Sequence, residues 1–185
     1  MQVDYKKYIK PIILGALAII LIFCLIKKPE GIKDIYSYTG YAILILTFIS
    51  ALYVKFIWKW SILRKIGFEE IPVLKKKYEG TIKYNFNGGG EKPISFKVKQ
   101  TLLSTKIIMT TDINRSTNIT SQLIKENDEF ILYYTYITNP QSTVRATNPI
   151  QYATTRILIE DVDDMQGMYW TTSQTTGDIF ISSVN

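Results

Sequence analysis

Histidine is absent from the chain, and cysteine appears once, at Cys24. A Ser-His-Asp or Cys-His nucleophile, a His-ligated zinc or iron site and an intrachain disulfide are therefore excluded by inventory. Asp161, Asp163 and Asp164 could in principle hold a divalent metal, but the segment lacks the Gly and closing Glu of a calcium loop and reads as a solvated acidic turn. No catalytic constellation remains, and the expectation is a protein that is not an enzyme and carries no cofactor. Cationic excess is also missing where a nucleic-acid domain would need it. From Tyr78 to Asn185 there are 9 Lys and Arg against 11 Asp and Glu, a net −2. Binding to polymeric DNA or RNA draws on counterion release by several clustered cations, so such a partner is not expected.

What is present divides the chain in two. Up to Lys77, 13 Lys and Arg face 5 Asp and Glu, a net +8, and the long apolar runs lie here. Ile9 to Ile26 is a short span candidate with Pro11 suited to a first helical turn, and Tyr36 to Val54 is 19 residues without a charge. A cleaved signal peptide is disfavoured because no small-x-small site follows, and Leu21, Ile22 and Phe23 are too large for lipoprotein processing at Cys24. Cys24 then reads as a lipid-facing or packing residue. Gly15, Ala16, Gly40 and Ser50 are candidate close-contact points between helices. Lys6, Lys7 and Lys10, with Lys55, Lys59, Arg64 and Lys65, outnumber Lys27, Lys28 and Lys33 in the connection. The positive-inside rule therefore predicts cytoplasmic termini. Lys75, Lys76 and Lys77 extend the basic flank toward anionic lipid. On that topology the sequons at Asn114 and Asn118 carry no glycan.

From Tyr78 the period changes to two, and eight strands are expected: 78–86, 93–100, 106–112, 117–125, 129–138, 152–160, 168–173 and 178–183. Turns are expected at Asn87 to Gly90, at Glu126 to Asp128 and at Thr176 to Asp178. Regular short strands favour an up-and-down barrel of about eight strands, or a small sandwich. The expected organisation is a two-helix transmembrane region over 1–65, a juxtamembrane linker over 66–77 and a β-barrel sensing domain over 78–185. The one long connection, Asn139 to Ile150, carries Arg145 beside the aromatic strand Tyr133-Tyr134-Thr135-Tyr136; guanidinium for phosphate and aromatic faces for bases are the parts of a small nucleotide pocket.

The ordered series Tyr78-Glu79-Gly80, Lys99-Gln100-Thr101, Tyr134-Thr135-Tyr136, Asn139-Pro140, Ile150 to Thr154, Gly167 to Thr171 and Gly177 resembles a known family. It is that of the two-transmembrane, β-strand-rich (S-2TMβ type) effectors associated with CD-NTases in CBASS anti-phage defence. The resemblance covers nearly the whole chain. It implies a barrel that binds a cyclic dinucleotide or cyclic oligonucleotide made by a partner nucleotidyltransferase. It also implies ligand-driven homo-oligomerisation of the helices within the lipid bilayer, membrane disruption and abortive infection. Ala153, where the family pattern has Gly, and Thr172-Ser173-Gln174, where it often has charge, are departures that bear on ligand preference. The rival reading is a constitutive membrane-tethered adaptor or a lipid-handling barrel. For the ligand, Arg115 and Arg145 are expected at phosphates, and Tyr134, Tyr136, Tyr152, Tyr169 and Trp170 are candidate base stackers. Thr154, Thr171 and Thr172 are candidate polar contacts. The mouth bearing the Asn139 to Ile150 connection is the expected site, with the Gly88-to-Pro93 turn marking the alternative mouth.

Overall fold

The structure, a computed structural model, describes residues 6–184 and divides into two compact units, one ending at Glu69 and one starting at Glu70. The first is a helical hairpin of α1 (Lys6–Lys27) and α2 (Ile32–Lys55), followed by a short α3 (Ser61–Lys65). Tyr8–Lys27 and Ile32–Lys55 have mean hydropathies of 2.8 and 1.6, long and apolar enough to cross a bilayer. Their large side chains, among them Leu17, Leu21, Leu44 and Phe48, stand exposed rather than forming a core. Such apolar surface has hydrocarbon as its natural solvent. Pro11 lies in the second turn of α1, because the helix begins upstream of the expected Ile9. Phe23 stacks on Tyr38 at 5.7 Å, and Gly15 lets Leu46 approach. Gly40 has no such neighbour. At the other end of the hairpin the Tyr8 and Tyr53 hydroxyls both donate to the buried Glu69 carboxylate, with Phe68 edge-on to both rings.

The second unit is a closed antiparallel barrel in which each strand pairs with its sequence neighbour and β8 closes on β1. The strands are β1 (Lys77–Tyr84), β2 (Gly90–Gln100), β3 (Thr105–Thr110), β4 (Arg115–Glu126), β5 (Glu129–Ile137), β6 (Tyr152–Ile159), β7 (Asp164–Thr171) and β8 (Thr176–Ser183). Alternation drives one face of each strand inward. Tyr78, Phe96, Ile107, Leu132, Tyr134, Ile157 and Ile179 fill the interior almost without exposure. A bulge between Asn118 and Thr120 pushes Ile119 outward, and the Asn118 amide bridges Ile107 N and Thr105 O across it. Between β4 and β5 only Asn127 and Asp128 turn the chain, with φ of 48° and 68°, the conformation a two-residue hairpin requires.

Two expectations need correction. Phe86 leaves the strand and lies exposed in a 3-10 turn, because β1 ends at Tyr84. The last hairpin turns at Thr172–Thr175, with Gln174 at φ 60°, not at Gly177. Gly177 is inside β8, where a Cβ would meet Lys83 O at 2.1 Å, so its glycine signals close strand approach and not a turn.

Up-and-down topology sorts the connections between two ends. Residues 101–104, 127–128 and 160–163 lie at the linker end, where the chain enters β1. Residues 85–89, 111–114, 138–151 and 172–175 lie at the loop end. The turn before Pro93 and the long connection therefore share one mouth and are not alternatives. The linker end is closed: Ile71, Leu74 and Val162 pack on the core, Gln100 accepts from Leu74 N (2.9 Å) and donates to Pro72 O (3.0 Å), and Tyr78 donates to Val162 O (2.9 Å).

Candidate functional site

The loop end is built differently. Tyr134 and Tyr136 on β5 face inward with ring centroids 5.5 Å apart, and Phe96 meets Tyr134 edge-on from below. On the far side of the barrel, Tyr84 on β1 lies over the inward-facing Gly90, and Tyr169 on β7 lies over Gly177. A side chain at either glycine would occupy ring space, at 2.5 Å from the Tyr84 hydroxyl and 2.6 Å from the Tyr169 ring. Lys92, an inward position of β2, holds its ammonium 5.6 Å from the Tyr84 ring centroid. A groove of about 310 Å³ lies at this end of β1, β7 and β8, lined from the outer face by Lys83, Met168, Trp170 and Asp178 and reaching Tyr84 and Tyr169.

Burial raises the phenol pKa of Tyr134, Tyr136 and Tyr169, so all three stay neutral hydrogen-bonding groups across physiological pH. The Thr155 hydroxyl, inward on β6, is close enough to Tyr134 and Tyr136 to offset part of that rise, yet makes a well-formed hydrogen bond with neither. Asn114 Oδ1, Ser116 Oγ, Tyr134 Oη, Gln151 Oε1 and Thr155 Oγ1 are buried without a hydrogen-bond partner among the described residues, and all belong to this half of the barrel. Buried polar atoms are normally paired, so a cluster of unpaired ones at a mouth is the arrangement of a polar ligand site. No group of three or more His, Cys, Asp or Glu among the described residues is placed to hold a metal. Asp161 and Asp163 instead brace their own turn, Asp161 accepting from Asp163 N and Asp163 accepting from Ser183 Oγ.

The ten residues singled out from sequence divide between the two faces of the wall. Tyr134, Tyr136 and Tyr169 are inward, and Thr171 sits at the rim with its hydroxyl 2.7 Å from that of Thr175. Tyr152, Thr154, Trp170 and Arg115 face outward, Thr154 bonding Thr135 across the strands. Thr172 is exposed in the last turn. Arg145 is exposed in the long connection, its guanidinium donating to Asn139 Oδ1 and Pro140 O, and that connection is tied to the β3–β4 turn through Gln141. Sequence reasoning missed Tyr84, Lys92, Ser116 and Thr155. Lys92 was findable, since its parity with Ile94, Phe96 and Val98 along β2 puts it inside.

Residues 69–182 match the family described as "Cap15, cyclic dinucleotide receptor domain". A "CD-NTase-associated protein 15" of Staphylococcus schleiferi is 38% identical over 163 residues, 88% of this chain and 86% of the relative. A protein of the same description from Escherichia albertii is 26% identical over 157 residues, covering 83% of this chain and 79% of its own length. The matched region starts at Glu69, ahead of β1, and ends within β8, so it takes in the whole inward-facing tyrosine cluster and both ends of the barrel, and the chain belongs to the Cap15 cyclic dinucleotide receptor family.

Proposed function

We propose that the loop end of the barrel binds a cyclic dinucleotide or related cyclic oligonucleotide, and that the chain acts as the membrane effector of a CBASS system supplied by a CD-NTase. The observation that carries this is the tyrosine-lined mouth, with buried hydroxyls that have no partner among the described residues and the ammonium of Lys92 over the Tyr84 ring. Tyr169 and Tyr84, only partly buried, offer faces for bases, and Lys92, with Arg145 from the connection, offers charge for phosphates. A lipid-handling barrel is not supported by the interior, which side chains fill. α1 and α2 hold the chain in the bacterial inner membrane, with both termini cytoplasmic where the nucleotide is made. Ligand binding favours an assembled state, and repeated copies of the helical hairpin disrupt the bilayer; two largely apolar helices have little to form a pore with alone.

Full-length protein in detergent, melted with a panel of cyclic dinucleotides and linear controls, tests the binding step. A true ligand at a hundred times its Kd stabilises by about 2.7 kcal/mol. Lys92→Ala should weaken binding about tenfold or more, and Arg145→Ala likewise if the connection folds onto the bound ligand. If no cyclic nucleotide shifts the transition, the reading fails. In cells, a chain lacking residues 1–65 should bind nucleotide but not kill, and toxicity that survives the deletion would rule out membrane disruption.

A further inference from the structure

The outer wall of the barrel is not uniform. On β2 and β3, Lys97, Lys99 and Lys106 are exposed, and Lys99 and Lys106 are direct register partners. Like charges opposite each other across strands destabilise a sheet, and among the described residues none of the three is in an ion pair. The turn joining these strands presents Leu103 at 47% exposure while Leu102 is buried beneath it. That turn is rigid: Thr101 Oγ1 accepts from Leu103 N (3.3 Å) and Ser104 N (3.0 Å), and Thr101 N donates to Ser104 O (2.8 Å). It is an apolar knob on a firm base, with Lys99 and Lys106 on the strands that lead into and out of it.

On the other side, β6, β7 and β8 form a groove of about 360 Å³ in which Leu158 and the exposed ring of Phe180 are flanked by Glu160, Asp161 and Asp164. Among the described residues these carboxylates too are in no ion pair. In a closed eight-stranded barrel the β2–β3 and β6–β7 hairpins stand four strands apart, half the circumference, and both turn at the linker end. Knob and groove are therefore diametrically opposed and at one level along the barrel.

We propose that the Leu103 knob of one copy seats in the Leu158–Phe180 groove of the next, with Lys97, Lys99 and Lys106 against Glu160, Asp161 and Asp164. The contact joins unlike surfaces, so it does not close on itself as a twofold dimer would, and its repetition gives a row of side-by-side barrels. A second copy of this chain is the occupant that matches both walls at once. The inference rests on the assembly step of the proposed function and names the surface that step uses.

Association of full-length protein in detergent is measured by sedimentation, with and without a cyclic dinucleotide, and nucleotide binding is measured on the same samples. Lys97→Glu/Lys99→Glu/Lys106→Glu and Glu160→Lys/Asp164→Lys should each weaken self-association at least tenfold, as should Leu103→Asp. Mixing the two charge-reversed chains, or combining both sets in one chain, should restore it. Recovery also shows that the variants are folded. Charge-reversed chains that associate like wild type, or a mixture that does not recover, would overturn the proposal. If loss in the lysine variant is not recovered by mixing, and wild-type assembly in nanodiscs needs phosphatidylglycerol in place of phosphatidylcholine, the lysines serve lipid and the proposal fails. Wild type that binds no nucleotide counts against the functional reading alone, because ligand-free association still reports on the walls.

Discussion

The two ends of the barrel are made from the same eight strands and solve the problem of a barrel mouth in opposite ways. At the linker end the chain closes the mouth with its own backbone. Leu74 and Ile71 supply apolar cover, and Gln100 and Tyr78 supply the hydrogen bonds that the crossing peptide groups need. At the loop end the 138–151 connection crosses to the β3–β4 turn through Gln141 and the buried Pro140, yet five buried polar atoms stand without partners among the described residues. A closed end is tuned for stability, whereas an end with unmet hydrogen-bonding capacity gives up stability that a polar ligand can return. The difference makes deletions of single polar groups behave unlike each other according to where they lie.

The largest effect is expected at the linker end with Gln100→Leu. The substitution keeps the bulk but strips the acceptor from Leu74 N and the donor from Pro72 O. Orphaning two buried backbone groups costs about 2–4 kcal/mol, roughly 10 °C in Tm for a domain of this size. Thermal melting of the full chain checks it. A loss below about 1 kcal/mol would show that the linker is not a structural lid. Tyr78→Phe comes next. The Tyr78 hydroxyl, its pKa pushed up by burial to about 12, accepts from Lys75 N and donates to Val162 O, and its removal should cost about 1–2 kcal/mol with nucleotide affinity unchanged.

A smaller, pH-dependent effect is expected at Asp163, whose carboxyl is held below the usual range first by the Ser183 hydroxyl and then by Lys75. A depressed folded-state pKa adds stability that is present above the unfolded value of about 3.9 and lost as pH falls through the folded value. Asp163→Asn should therefore lower Tm slightly at neutral pH, and the gap between variant and wild type should close in acid. A gap that persists at pH 2 would mean that the side chain acts by packing and not by charge.

Much of this architecture was legible in the sequence, and the misses have physical causes. Period-two alternation marked all eight strands because one face of each is buried. The site was harder. The spacing of Tyr134 and Tyr136 shows that they share a face, but not whether that face is inside. Tyr152 and Trp170 carry the same aromatic signal and lie outside. Lys92 was missed because the second strand was expected to begin at Pro93, which left Lys92 in the connection, whereas β2 begins at Gly90. The bulge at Ile119 breaks parity within β4 without a glycine or proline to announce it. The two mouths were confused although the expected up-and-down order already puts the turns after the first and fifth strands, residues 85–89 and 138–151, at one end, as the structure does.

The smallest effect on stability, and the most informative about the comparison, is expected for Tyr134→Phe. The same atom is deleted as in Tyr78→Phe, from a ring just as deeply buried, but the Tyr134 hydroxyl has no partner among the described residues to lose. Removing an unpaired buried hydroxyl relieves a desolvation cost, so folding stability should change by less than about 0.5 kcal/mol or rise slightly. Thr155→Val should behave alike, since the Thr155 hydroxyl is equally unpaired. Ligand response should move the other way. If the hydroxyl bonds a phosphate or base edge when nucleotide enters the mouth, Tyr134→Phe should weaken binding severalfold to about tenfold while leaving the apo protein intact. Paired melting and titration of Tyr78→Phe and Tyr134→Phe then form a crossed test, with stability lost and binding kept at the linker end, and stability kept and binding lost at the loop end. A Tyr134→Phe protein that melts several degrees early and binds nucleotide normally would remove the distinction between the two ends and, with it, the reason to place the ligand at the loop end.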